Sequence, residues 1–110
     1  MRSVASAEYM EQLKSIGYSF SGWVREEGDS LQKLDIAISD PEPSGKGDSV
    51  CQLLCPFFRA TPYSIYGVEH DQALELSRQF VETRLRYRNA GVTDDGGNEI
   101  FLPPVRKTSD

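Results

Sequence analysis

The stretch Tyr66-Gly67-Val68-Glu69-His70-Asp71-Gln72-Ala73-Leu74 constrains the fold more than any other part of this chain, because it joins an expected strand end to the one strongly patterned helix. That helix is predicted over 71–89. Projecting it at roughly 100° per residue gathers Ala73, Leu74, Leu76, Phe80, Val81, Leu85 and Tyr87 on a broad apolar arc, with Glu75, Gln79, Glu82 and Arg86 opposite. Such a stripe buries itself against a neighbouring layer. Asp71 is placed to cap or complement the first turn, and Arg84, Arg86 and Arg88 suit the negative end of the helix dipole. Ala90-Gly91 reads as the stop signal.

Upstream of this helix the pattern is that of strands. From Tyr18 to Arg25 the residues alternate, with Tyr18, Phe20, Gly22 and Val24 on one face and Ser19, Ser21, Trp23 and Arg25 on the other. Glu26-Glu27-Gly28-Asp29-Ser30 suits a hairpin connection into Gln32–Ser39, where Leu34, Ile36 and Ile38 alternate with Lys33, Asp35 and Ala37. The Pro- and Gly-containing stretch from Asp40 to Ser49 predicts a mobile loop without a ladder. Val50–Phe58 reads as a covered central strand that Pro56 ends or bends, and Tyr63–Tyr66 as a short strand after Pro62. A short amphipathic helix is expected over 7–16, a final strand over 98–103 around Ile100-Phe101-Leu102, and a tail over 105–110. The expectation is a single α+β domain over 1–110: a mainly antiparallel β-meander of about four to five strands at 18–66, packed on one long helix.

Charge narrows the choice of partners. With 17 acidic against 12 basic residues the formal net charge is -5, so the overall field repels phosphate backbones and anionic membranes, and nucleic acid and membrane partners are not expected. Residues 1–7 carry one arginine and lack the apolar run of a secretion signal, and no stretch approaches the ~20 apolar residues of a membrane span. A cytoplasmic location follows as the expectation. Cys51 and Cys55 on one strand would lie about 13 Å apart, beyond disulfide reach, so both read as reduced core thiols.

The catalytic inventory is thin. Histidine occurs once, as His70, and its neighbours Glu69 and Asp71 are consecutive with it, so their side chains splay and do not match metal-ligand spacing. A thiol in an apolar strand is a poor nucleophile. Asp94-Asp95 and Glu26-Glu27 flank glycines without apolar neighbours that would raise a carboxyl pKa. Gly45 and Gly47 lack the full phosphate-loop spacing and no helical pattern follows them. No enzyme activity, cofactor or metal is expected.

Two groups of residues remain as binding candidates. Trp23, Tyr63 and Tyr66, with the loop carboxylates Glu26, Glu27 and Asp29 at a rim, could anchor a protein partner. A second layer, such as the N-terminal helix, could instead cover Trp23. Arg84 and Arg88 fall near the middle of the apolar helix arc. Their heads could reach water or pair with Asp94, Asp95 or Glu99 while their stems cover apolar surface. They could also form an anion site with Arg59 or Tyr87, since guanidinium forks suit carboxylates and phosphates.

The Tyr66–Leu74 segment, preceded by the cysteine-containing apolar strand and followed by Ile100-Phe101-Leu102-Pro103, is similar to an uncharacterised family of small bacterial domains. In that family a strand ends in a Tyr-Gly-Val-Asp-like turn, a helix opens Gln-Ala-Leu, and the tail is Gly-Phe-Pro-like. The resemblance covers about half the chain and departs at Glu69, at the proline-rich stretch from Pro56 to Pro62, and in the tail. It implies a strand-plus-helix fold and, as the family carries no assigned activity, transfers no site. The sequence therefore favours a non-enzymatic protein-binding module, of the immunity or regulatory type, acting by charge and shape complementarity. The alternatives are a small-anion or ligand-binding domain centred on Arg84 and Arg88, and a structural subunit of a homo-oligomer such as a homodimer.

Overall fold

A computed structural model describes residues 15–26 and 30–105. Strands β1 (Ile16–Glu26), β2 (Leu31–Ser39), β3 (Glu42–Pro43), β4 (Ser49–Leu54) and β5 (Tyr63–Gly67) precede one helix, α1 (His70–Tyr87), and a last strand, β6 (Ala90–Thr93). All pairings are antiparallel: β5 lies beside β4, β4 beside both β3 and β2, β2 beside β1, and β1 beside β6. The class is α+β, with a six-stranded antiparallel sheet packed on one helix.

The sheet has more strands than the four to five expected, and the surplus lies where a loop was expected. Glu42 and Pro43 pair with Val50 and Ser49 inside the supposed loop. Ile38 pairs with Leu53 and Glu42 with Val50, so four steps along one strand match three along the other. β2 and β3 thus line one edge of β4, interrupted by a one-residue bulge around Ser39 to Pro41. The Ser39 hydroxyl accepts the Gln52 amide at 2.8 Å, satisfying a donor that the bulge takes out of the ladder. Gly45 and Gly47, at φ of 93° and 95°, close the turn back into β4.

Period-two patterning correctly assigns the faces of β1 and β2. Tyr18, Val24, Leu34, Ile36 and Ile38 are buried in one core with Cys51, Leu53 and Cys55, under Ala73, Leu74, Val81 and Leu85 of α1. On the opposite face the pattern turns polar, as in the Ser21 hydroxyl donating to Asp35 at 2.6 Å, although Ala37 and Leu54 are also buried there. Pro56 ends β4 before Cys55, and the following turn is held by the Phe58 amide donating to the Cys55 carbonyl at 2.9 Å.

The connection from β5 to α1 has a steric basis. A methyl group on Gly67 would lie 2.6 Å from the Ala73 nitrogen and 2.8 Å from its Cα, so the end of β5 can approach the first helical turn this closely only without a side chain. Glu69, not Asp71, is the N-cap, and its side chain makes no capping bond. The Gln72 side chain instead accepts the Val68 amide at 2.6 Å, which fixes the chain's entry into the helix. Eighteen residues rise about 27 Å, enough to carry the chain obliquely from β5 at one edge of the sheet to β6 at the other.

Three boundary expectations change. Residues 7–14 of the predicted N-terminal helix lie outside the described residues, and Ile16, placed at its end, pairs with Ser39 at the start of β1. The helix ends at Tyr87 with Arg88 as its C-cap, short of the expected 89, and Asn89, whose φ of 54° makes the left-handed exit, turns the chain out rather than Ala90-Gly91. Those two residues instead open β6. The final strand is therefore 90–93 rather than 98–103, and 98–103 contributes one bridge, Glu99 to Thr93, and the Ile100 amide donating to the Val92 carbonyl at 2.9 Å. Pro103 and Pro104, which lack N–H donors, cannot extend that pairing.

Candidate functional site

The three aromatic residues expected to share one binding surface do not converge. Trp23 lies half-buried on the open face of the sheet, opposite Lys33 and Thr93, with the Lys33 ammonium 5.1 Å from its ring centre. Tyr66, 55% exposed, is on β5, three strand spacings across the sheet and about eight residues along it, roughly 30 Å away. Tyr63 points to the helix side, its ring 4.8 Å from that of Phe80. Glu26 is not a free rim charge: it holds Arg88 at 2.9 Å and accepts from Gln32 at 3.3 Å. Glu27 and Asp29 lie outside the described residues.

The three candidate arginines do come together, at the end of the molecule formed by the 55–63 connection and the last turns of α1. Tyr63 is their hub. The Arg59 guanidinium stacks on its ring at 3.7 Å and is pinned by donating to the carbonyls of Thr61 at 2.9 Å and Pro62 at 2.7 Å. Arg84 lies 5.8 Å from the Tyr63 ring and 5.3 Å from Phe80, and donates to the Tyr63 hydroxyl at 3.4 Å. Arg88 sits over Phe57 at 4.4 Å and donates to Glu26 and, at 3.5 Å, to the Phe57 carbonyl. Neither Arg84 nor Arg88 pairs with Asp94, Asp95 or Glu99, and among the described residues Arg59 and Arg84 have no carboxylate partner. Phe58, Arg84, Tyr87 and Arg88 enclose a concavity of about 130 Å³.

A larger groove, about 440 Å³, opens between the C-terminal half of α1, β6 and the 99–102 segment. Leu85, Val92 and Leu102 form a buried apolar floor, and Glu82, Arg86 and Glu99 bring charge to the lining. Phe101 at its lip is 93% exposed. Tyr87 and Leu76, assigned to the buried helix arc by their spacing, are also exposed, Tyr87 by 82%. The strap that carries Phe101 is tied down by the Tyr18 hydroxyl, which donates to the Pro103 carbonyl at 2.7 Å, and by the burial of Leu102. Burial pushes the Tyr18 phenol up to about 12.

Beside the groove, the turn 94–99 is built on one carboxylate. Asp94 accepts the amides of Asn98 and Gly96, both at 2.9 Å, and the Asn98 backbone bond in particular holds its carboxyl below the ordinary range. Its neighbours Asp95 and Glu99 are exposed. This acidic turn follows Thr93, whose partner is Trp23, so it lies beside the middle of β1 on the β6 edge rather than at the C-terminal end of β1 where Glu26 stands.

Nucleophile chemistry finds little footing. Cys51 and Cys55 are fully buried, and loss of hydration pushes both thiols up to about 11, with Ser77 and the turn amides only partly opposing it. A hydrogen bond of 2.5 Å links the Ser49 hydroxyl to Nδ1 of His70, a pair the sequence reading missed because 21 positions separate them. Ser49 is buried, so the bond fastens the helix start to β4 rather than presenting a hydroxyl to substrate. Among the described residues no three His, Cys, Asp or Glu side chains cluster to hold a metal, and no helix is long and apolar enough to cross a membrane. No family model, curated protein or solved structure matches the chain.

Proposed function

We propose that this protein is a non-enzymatic protein-binding module that docks a partner across the groove between α1, β6 and residues 99–102. The observation that carries this reading is Phe101, a large apolar side chain held almost wholly in water at the lip of an apolar-floored cavity. Burying such a ring is worth about 1.5–3 kcal/mol, and aromatic anchors beside pockets dominate binding energy at interfaces. The adjacent carboxylates Asp95 and Glu99 fit a basic partner segment, which they would steer by long-range attraction. In this reading the 94–99 turn takes the place of the expected rim of Glu26, Glu27 and Asp29, and Phe101 that of the expected anchors Trp23, Tyr63 and Tyr66.

The test compares partner capture from a lysate of the source organism by immobilised wild type, Phe101→Ser and Trp23→Ser. Phe101→Ser removes an exposed ring, so the fold should persist while a stoichiometric partner is lost. Trp23→Ser should retain it. Capture that survives Phe101→Ser and disappears with Trp23→Ser would move the interface to the open face of the sheet and overturn the assignment.

A further inference from the structure

We infer that Arg84 and Arg88, walled by Phe58 and Tyr87, form a binding site for a phosphate-class oxyanion, separate from the groove lined by Arg86. Residues 84 and 88 are one helical turn apart, so their side chains leave the same face about 6 Å apart along the axis. Both line one concavity of about 130 Å³, a size suited to a small anionic group. On a chain of net charge -5, among the described residues this end gathers three guanidinium groups against one carboxylate, Glu26.

The donors are fixed before any ligand arrives. A guanidinium has five N–H donors, and among the described residues Arg84 uses only one contact, to Tyr63 at 3.4 Å, leaving Nε and Nη1 without a protein acceptor. Its head is held against the Tyr63 and Phe80 rings, and Arg88 is held against Phe57. An oxyanion therefore meets forks already in place, with less side-chain entropy to lose than free surface arginines would cost. Arg59, on the Tyr63 ring, adds positive field without being needed as a direct contact.

Two local features oppose an anion, and both are outweighed. The C-terminal end of α1 carries a partial charge of about -0.5, which helps to position the arginines but is smaller than the surplus of two positive charges among the described residues. Glu26 occupies part of the Arg88 fork through a single carboxylate oxygen. A carboxylate ligand would duplicate what Glu26 already does for one arginine. A tetrahedral phosphate, with oxygens directed to both forks and up to two negative charges, can bridge the pair, which sets the preference for phosphate over carboxylate.

The test is a titration of the full chain with inorganic phosphate, phenyl phosphate and acetate, each against sodium chloride at matched ionic strength. The readout is the arginine Nε–Hε and residue 84–88 amide resonances. Saturable shifts are expected with both phosphates and not with acetate. Tighter binding of phenyl phosphate would identify a phosphate monoester on a larger molecule as the natural source, and equal binding the free ion. Arg84→Gln should weaken binding at least about fivefold, with Arg84→Lys between it and wild type. Glu26→Gln leaves the Tyr63 and Phe80 packing untouched and frees the Arg88 fork, so it should tighten binding by about threefold. Shifts no larger than those from sodium chloride, acetate binding equal to phosphate, or unchanged affinity in Glu26→Gln would each overturn the site.

Discussion

Gly67→Ala should be among the most damaging single-methyl additions to this protein, and the structure gives its size. The new Cβ would sit 2.6 Å from the Ala73 nitrogen, 2.8 Å from its Cα and 3.0 Å from the Gln72 carbonyl carbon. These are backbone atoms of the first turn of α1, which cannot rotate away as a side chain can. Overpacking costs about 1–3 kcal/mol, and a backbone obstacle places this case in the upper half of that range. Replacing glycine also lowers the entropy of the unfolded chain, returning about 0.4–1 kcal/mol. The net loss is about 2 kcal/mol, a large share of the 5–15 kcal/mol that roughly bounds a domain's stability. With a urea slope of about 1–3 kcal/mol per molar, the unfolding midpoint should fall by about 1 M. Gly22→Ala is the matched control: its Cβ would meet the tip of the Phe20 ring at 2.7 Å, which can swing aside, so the loss there should stay under about 1 kcal/mol. A midpoint for Gly67→Ala within about 0.2 M of wild type, or a larger loss for Gly22→Ala, would refute the close-approach account.

Two further outcomes follow from the buried ionisable groups. Cys51 and Cys55 have folded-state thiols near 11 against an ordinary 9.0, so folding favours the neutral form; their contribution is complete below pH 9 and is lost as the pH rises from 9 to 11. At pH 10 each thiol removes about 1.4 kcal/mol, so from pH 8 to pH 10 wild type should lose about 2–3 kcal/mol more than Cys51→Ala/Cys55→Ala, and parallel urea-midpoint curves would contradict this. Tyr18→Phe deletes the bond to the Pro103 carbonyl, at a cost of about 1 kcal/mol, and should loosen the strap that carries Phe101. Hydrogen exchange at the Ile100 amide is the check, since unchanged protection there would show that Leu102 burial alone holds the strap.

What was legible in the sequence is what depends on near neighbours along the chain. Alternation in 18–25 and 32–39 assigned the inward faces of β1 and β2 because side-chain direction in a strand has a fixed period, and helical spacing located α1 to within a few residues for the same reason. Local patterns misjudged Leu76 and Tyr87, whose spacing is apolar but whose positions on the helix are not covered. They also placed the last strand at 98–103, since Ile100-Phe101-Leu102 is the more apolar run. Ala90–Thr93 became the strand because Asn89 turns the chain back beside β1, where Val92 meets Val24.

The sequence by itself determined the class of the fold, the handover from strand to helix at Gly67, and the concentration of arginines in the last turns of α1, since each rests on residues a few positions apart. Tertiary structure alone decided what those residues can do. It spent the Glu26 charge on Arg88 across 62 positions, left Arg84 without a carboxylate partner among the described residues, and set Phe101 over a floor made by Leu85, Val92 and Leu102. The reason is physical: periodicity fixes the direction of a side chain relative to its own backbone, whereas the partner of a charge and the cover over a ring depend on which distant segments the sheet brings alongside.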